Sequence, residues 1–483
     1  MGKTQSQKLP RTVAFTITGG FVARYFLRSG LLDRLSHDGF KILILTPNPE
    51  EEYFRKEFER QNVYIEKLET EQIRAFVKKS KLIPYFQLLR FLCMQELTTI
   101  KMHYLEHRLE RNANSFKSKV FWAFFDTALN ILRKSIMMRN LLVKIETILL
   151  RADFHKELFR QYHPDLLICS TMGFAHTEVD AFLLREAKRY QIKTLAFILS
   201  WDNTTGKGWR GATPDYVINW TSIMKQELVM YHKYPEERCF ISGPLHFDIH
   251  FKDLTASRED FLKSLGLEPD RKTITLFTYQ PLKYPYHADI IKILGKAIKD
   301  GKFNKDVQFI VRIHPIWMGS YLAQGLQEFV NLCNSYPHFV TDKPEVLSQK
   351  LALDMPWSDM QKLSALCRYS DVIVNLYSTV TIEACIHDTP VVNINFNGFA
   401  TQPLAFRKDV DKMYQNTHVQ RVQEMGATTD ANSPEELIQY INMYLNNPEI
   451  NSQKRKQLAK QECEYLDGLS TERAALIIKQ LTN

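Results

Sequence analysis

The sequence has no apolar run of the ~18–20 residues that a membrane-spanning helix requires. Its opening, MGKTQSQKLPRTVAF, lacks the apolar core of a secretory leader. There is no CxxC pair: seven cysteines, at positions 93, 169, 239, 333, 367, 385 and 463, lie scattered through apolar segments. An odd, dispersed set of this kind argues against a disulfide framework and for buried free thiols in a reducing cytoplasm. No RNP, zinc-finger or helix-turn-helix pattern occurs, so no nucleic-acid partner is expected. Clustered carboxylates of DxD type are missing at strand ends, and so is any short-period repeat.

What is present is a globular chain of 483 residues, 45% hydrophobic and 24% charged, with room for roughly two to three domains. Apolar, β-branched runs alternate with helical patterns. In the first half these are TVAFTIT, KILILTP, VYIEKL, PDLLICS, KTLAFIL, PDYVINW and RCFISGP; in the second, TITLFTY, VQFIVRIHP, DVIVNLY and PVVNINF. Strand–helix alternation with helix-length crossovers predicts parallel, doubly wound sheets. The fold class is therefore α/β, with two Rossmann-like domains facing a cleft. The first is expected over 1–250 and the second over 251–483, joined by a linker near FDIHFKDLTASRED and closed by two or three helices.

The alternation stops over 71–163, where helical spacing takes over and predicts a helical insertion in the first domain. Residues 71–160 carry 17 Lys and Arg against 8 Asp and Glu, an excess equal to the whole chain's +9. Such a patch suits an anionic membrane surface, or is a solvated helical face. Phe121, Trp122, Phe124 and Phe125 within it read as core, with a membrane anchor as the alternative.

Three strand ends carry chemistry. KTLAFIL releases into SWDNTTGKG, which presents Trp201, Asp202, Asn203, Thr204 and Lys207 where a plain turn needs none of them. VQFIVRIHP puts Arg312 and His314 at a strand end, stopped by Pro315; both are natural partners of a diphosphate. DVIVNLY runs into Ser378-Thr379 and a helix, whose N-terminus is a ready phosphate site, with Glu383 little more than a turn on and able to reach a ribose. The alternatives are a capped helix with one surface Glu, a structural His, and an Asp202 bonded to its own turn. Gly19 and Gly20 follow the first strand and lead into one amphipathic helix, FVARYFLRSGLLDRLSHDG; Thr278 stands near the end of TITLFTY, and His246 in GPLHFD sits at the crossover between domains.

This order of motifs resembles the GT-B glycosyltransferase superfamily, most nearly bacterial surface-polysaccharide (capsule) transferases and the CDP-glycerol glycerophosphotransferases. The latter carry a Trp-His-Gly-Thr-Pro-x-Lys loop, a later His-Pro and an Asp-Tyr-Ser-Ser helix start. The matching positions are Trp201, Asp202, Thr204, Lys207, His314, Pro315, Tyr377, Ser378 and Thr379. The tail QECEYLDGLSTERAALII is similar to their closing Leu-x-Asp-Gly-x-x-x-x-Arg segment. Asp202 replaces the family's histidine, and Asn375-Leu376 its acid, which favours a sugar transferase with a carboxylate base over a polyol-phosphate transferase. The resemblance implies a metal-independent transferase without cofactors. Asp202 would be the base and His314 would act on the leaving group. Arg312, Ser378, Thr379, Glu383 and Thr278 would hold a nucleotide-sugar donor. Gly19, Gly20, Trp201, Asn203, Thr204, Lys207 and His246 would line the side of a glycan or lipid-linked acceptor. The expected location is the cytoplasm, peripheral at the inner face of the membrane. A non-catalytic binding protein on the same fold is the remaining alternative, and a sugar-nucleotide epimerase of related fold would need a carboxylate pattern the sequence lacks.

Overall fold

The eleven apolar runs all form strands, and burial of most of them on both faces explains why they read as continuous rather than alternating; two further strands bring the total among the described residues to thirteen. The computed structural model describes residues 11–110, 116–254, 256–319, 322–348, 350–351 and 353–483; the first ten residues of the leader reading lie outside these. Strands β1 (Thr12–Thr16), β2 (Lys41–Thr46), β3 (Val63–Lys67), β4 (Leu166–Cys169), β5 (Lys193–Phe197), β6 (Tyr216–Asn219) and β7 (Cys239–Ile241) make one sheet. Strands β8 (Lys272–Phe277), β9 (Val307–Arg312), β10 (Phe339–Asp342), β11 (Val372–Asn375), β12 (Val391–Ile394) and β13 (Thr429–Ala431) make the other. The orders are β3-β2-β1-β4-β5-β6-β7 and β10-β9-β8-β11-β12-β13. Every named strand pair is parallel. Each order therefore reverses once, between β1 and β4 and between β8 and β11, and a ligand crevice belongs outside the strand ends at such a point.

Three sequence readings need correction. The single helix expected after Gly19-Gly20 is two, Gly20–Phe26 and Leu31–His37, because Gly30 adopts φ 98° between them. The first part of the segment read as a linker is instead a buried crossover: Leu245–Phe251 forms a 3₁₀ turn with Leu245, His246, Phe247, Asp248, Ile249 and His250 all buried, while the segment's described residues from Lys252 on are largely exposed. Among the insertion aromatics, Trp122 and Phe125 are core and Phe124 is 77% exposed. The insertion itself is helical, from Thr70–Lys79 to Lys156–Tyr162, between β3 and β4. All seven cysteines are buried and unpaired. Among the described residues no helix is long and apolar enough to cross a membrane.

The two domains are clamped at Asp354. Its carboxylate is buried and takes Arg28 at 2.5 Å and the Tyr53 hydroxyl at 2.5 Å, while Arg28 also reaches Glu57 at 2.7 Å. The helix carrying Arg28's neighbours begins at Gly20, where an added Cβ would lie 2.2 Å from Asp354 Cα. The final helix, Ser470–Leu481, packs on the first domain: Lys479 pairs with Asp38 at 3.6 Å and Lys193 donates to Leu481 O at 2.8 Å.

Because the obstacle at Gly20 is backbone, Gly20→Ala is expected to destabilise by about 1–3 kcal/mol, as overpacking does. Gly325→Ala, at an exposed position of the helix Ala323–Asn334 with nothing within 4 Å, is expected to stabilise by about 0.5–1 kcal/mol. Thermal melting of both variants beside wild type checks the pair; a Gly20→Ala protein that melts like wild type refutes the close approach.

Candidate functional site

The loops at the carboxyl ends of β1, β5, β8, β9 and β11 converge on one cavity of ≈ 410 Å³ between the domains. From the first domain it is lined by Phe21, Arg24, Trp201, Asp202, Lys207 and His246. From the second come Thr278, Tyr279, Lys283, Arg312, His314, Ser378, Thr379, Glu383 and His418, among others. Ten of the fourteen residues given a role in the site from sequence thus meet in one place. Gly19, Gly20, Asn203 and Thr204 are not among the lining residues. Gly19 accepts the first amides of its helix (Val22 N, Ala23 N), and Gly20 serves the domain contact. Asn203 and Thr204 are buried in a short helix, Asn203–Gly206, with Thr204 donating to Glu227.

The strand ends fix the second domain's contribution. His314 N donates to Thr278 Oγ1 at 2.7 Å, locking the end of β9 to the end of β8. His314 Nδ1 accepts from Ile316 N at 3.2 Å, so the neutral ring carries its proton on Nε2. Burial, with Lys283, Arg24 and Arg312 nearby, pushes its pKa down to about 4. Arg312 is committed elsewhere: its guanidinium pairs with Asp342 at 2.5 Å and Asp359 at 2.6 Å. It builds the wall of the cavity rather than offering an open fork.

Ser378 caps the helix Thr379–Ile386 by accepting from Val380 N at 3.3 Å. Glu383, 4% exposed, is held from behind: His250 Nε2 lies 3.0 Å from its Oε2, and His250 Nδ1 lies 3.1 Å from His387 Nε2. Both contacts are satisfied with neutral rings, each donating through Nε2. One carboxylate oxygen is thereby fixed and the side chain oriented.

On the facing wall Asp202 makes no capping bond; it pairs with Lys207 at 3.2 Å. Burial alone would raise its pKa, but Lys207, His418 and the Ser200 hydrogen bond outweigh burial and hold the carboxyl well below its usual range. Trp201 is buried, its ring edge against His418 at 4.9 Å.

Sequence reasoning missed Arg24, Lys283 and His418. Arg24 stacks on Phe21 at 5.0 Å, and its Nε is buried without a hydrogen-bond partner. Burial lowers its pKa and Glu383 and Asp359 partly restore it; a guanidinium nonetheless stays charged. Its place one turn after Gly20 was a readable signal, since a helix starting at a strand end turns that position to the cleft. His418 comes from a distant helix and had no such signal. The cavity thus combines a capped helix start, an imidazole N–H and a cation lacking a full set of partners. That constellation suits an anion with several oxygens.

A scan against protein-family models and a search of curated proteins find no match to this chain. Solved structures do match in fold. The UDP-GlcNAc 2-epimerase of Neisseria meningitidis bound to UDP-GlcNAc is 11% identical, with 98% of this chain and 100% of that chain covered and a TM-score of 0.54. The UDP-GlcNAc 2-epimerase of Methanocaldococcus jannaschii in complex with UDP-GlcNAc and UDP is 14% identical over 97% and 99%, at 0.51. A glycosyltransferase from Rickettsia africae is 12% identical over 98% and 99%, at 0.50. Two parallel sheets of seven and six strands across a cleft are the GT-B fold.

Buried histidines give the molecule a pH signature. Burial pushes His314 and His418 down to about 4 and His232, His287 and His387 down to about 3. Below pH 6.5 the unfolded chain takes up protons that the folded chain refuses, so stability falls as pH drops towards 4, by about 1.4 kcal/mol per pH unit for each such group. Asp180, raised to about 6 by burial, and Glu227, also raised by burial, oppose this over part of the window but are two groups against five. The apparent melting temperature should fall steeply from pH 6.5 to 4.5; a flat profile contradicts neutral burial.

Proposed function

We propose that this protein is a nucleotide-sugar-dependent glycosyltransferase, with the donor on the second domain and a surface glycan or lipid-linked acceptor on the first. The observation that carries the reading is the buried Nε of Arg24, without a partner, in a cavity shared with the Ser378–Thr379 helix start. A diphosphate would sit between them and a ribose against Glu383. The solved neighbours that hold UDP-sugars in the same fold support a nucleotide-sugar ligand. Seven buried thiols suit a reducing compartment, the cytoplasm.

In this reading the acceptor hydroxyl attacks the anomeric carbon, its proton passes to Asp202, and the bond to the diphosphate breaks. Charge growing on the departing nucleotide meets the helix N–H groups, Arg24 and the Nε2–H of His314. An Asp202 paired with Lys207 is a weak base. A donor phosphate that draws Lys207 away leaves a half-buried carboxylate whose proton affinity rises, so the base strengthens once donor is bound.

Two measurements test this. Calorimetry with UDP, GDP and CDP donors should find one nucleotide whose binding weakens by about 1–3 kcal/mol in both Arg24→Met and Thr379→Val; unchanged affinity in both moves the donor site elsewhere. With that donor, Asp202→Asn should slow transfer roughly 10²–10⁴-fold, and Lys207→Met should shift the acid limb of the rate profile to higher pH. Turnover of CDP-glycerol in place of sugar donors, or conversion of UDP-GlcNAc to its 2-epimer without acceptor, would replace the transferase reading.

A further inference from the structure

The helical insertion exposes a surface that the nucleotide cavity does not use. Its hairpin consists of the helices Phe116–Lys134 and Ile136–Leu149, joined at Ser135, which caps the second by accepting from Met138 N. The inner side of the first helix buries Trp122, Phe125, Leu129 and Leu132. The second turns inward Arg139, whose Nε donates to Leu132 O at 2.7 Å, and Glu146, which Arg90 and Arg185 each approach at 3.2 Å. Trp209, fully buried just past the SWDNTTGKG loop, meets the guanidinium groups of Arg139 and Arg210 over its ring, at 5.0 and 4.5 Å. The hairpin is therefore seated on the molecule by its inner face.

Its outer face is apolar. Phe116, Val120, Phe124 and Ile131 recur at helical spacing on one helix, and Met137, Leu141, Ile145 and Ile148 on the other. Phe116 is 80% exposed, Phe124 77%, Met137 73% and Ile148 66%. Of the 22 large hydrophobic side chains exposed among the described residues, 14 fall between Leu82 and Leu149, so this is a concentration and not the usual scatter. The charge alongside is of one sign. Lys117, Lys119, Arg133, Lys134 and Lys144 are exposed, whereas the hairpin's two acids are not: Asp126 is half-buried under Tyr104 and Glu146 is buried.

We infer that this hairpin docks the protein on an anionic lipid surface, apolar stripes in the interface and lysines among the headgroups. An apolar stripe flanked by cations is the pattern of helices that lie in the membrane plane. A two-fold contact with a second copy would set the same five cations against themselves across a low-dielectric gap, which disfavours that occupant. Nucleic acid would satisfy the lysines and leave the Phe, Ile and Met stripes in water. The inference is independent of the nucleotide reading, because docking requires no donor.

Flotation of the full chain with vesicles tests it. Wild type should float with vesicles of phosphatidylcholine containing about 30% phosphatidylglycerol, stay behind with pure phosphatidylcholine, and lose binding at high salt as the ~10 Å screening length shrinks. Phe124→Ser with Ile148→Ser, and separately Lys117→Glu with Lys144→Glu, should each reduce partitioning about tenfold or more. All these positions are exposed, so melting temperature should remain that of wild type and confirms that folding is intact. Absence of flotation, equal recovery with both vesicles, or variants that float as wild type overturn the inference. So does a dimer in sedimentation that Phe124→Ser with Ile148→Ser dissolves, since the face would then belong to a second copy.

Discussion

Asp354 is a carboxylate with no solvent exposure, contributed by one domain, whose cation and hydroxyl partners belong to the other. A buried charge stripped of its partner costs about 3–5 kcal/mol, so drawing the sheets apart at this point is strongly opposed. Gly20 lets the two backbones meet here without a side chain between them. The separation of the sheets, and with it the size of the cavity, follows from this contact. Strand ends on either side then meet across a gap of molecular dimensions instead of open solvent.

Within that gap the charges are unequally satisfied. Asp202 has Lys207, Asp359 has Arg312, and Glu383 has His250. Each cavity carboxylate is thus already met by a protein partner. Arg24 keeps a buried N–H without one, and the imidazole of His314 offers a proton while neutral. The protein's own groups neutralise its acids and leave donors over, and a buried donor left over calls for an acceptor from outside.

Much of this was readable because parallel strands announce themselves: a strand buried on both faces must be apolar throughout. All eleven runs identified in sequence are strands. The two that escaped, β10 and β13, are edge strands of the second sheet with the sequences FVTD and TDA, where a solvated side removes the apolar signal. Helix interruption at Gly30 was hidden because residues on both sides keep helical spacing. Most of the cleft residues legible in sequence, among them Asp202, Thr278, Arg312, His314 and Ser378, sit at or just beyond the ends of such strands. Arg312 was legible as a position but not as a role, since the acids that occupy it lie 30 and 47 residues away. The same limit hid the partner of Glu383: His250 reaches it from 133 residues earlier.

The last helix belongs to the first domain in space and to the end of the chain in time. Asp248 accepts Ser470 N and Thr471 N at 3.0 and 2.8 Å, and Thr471 reaches Ser29 O at 3.4 Å. At ~5–20 residues per second of synthesis, the final strand of the first sheet precedes this helix by roughly 10–50 s. Throughout that interval the nascent first domain carries an uncovered flank, while the second domain is free to fold as a unit. The order of completion is therefore the reverse of the order of translation. Emergence of the helix Ser470–Leu481, rather than of the first sheet, is the event that closes the first domain.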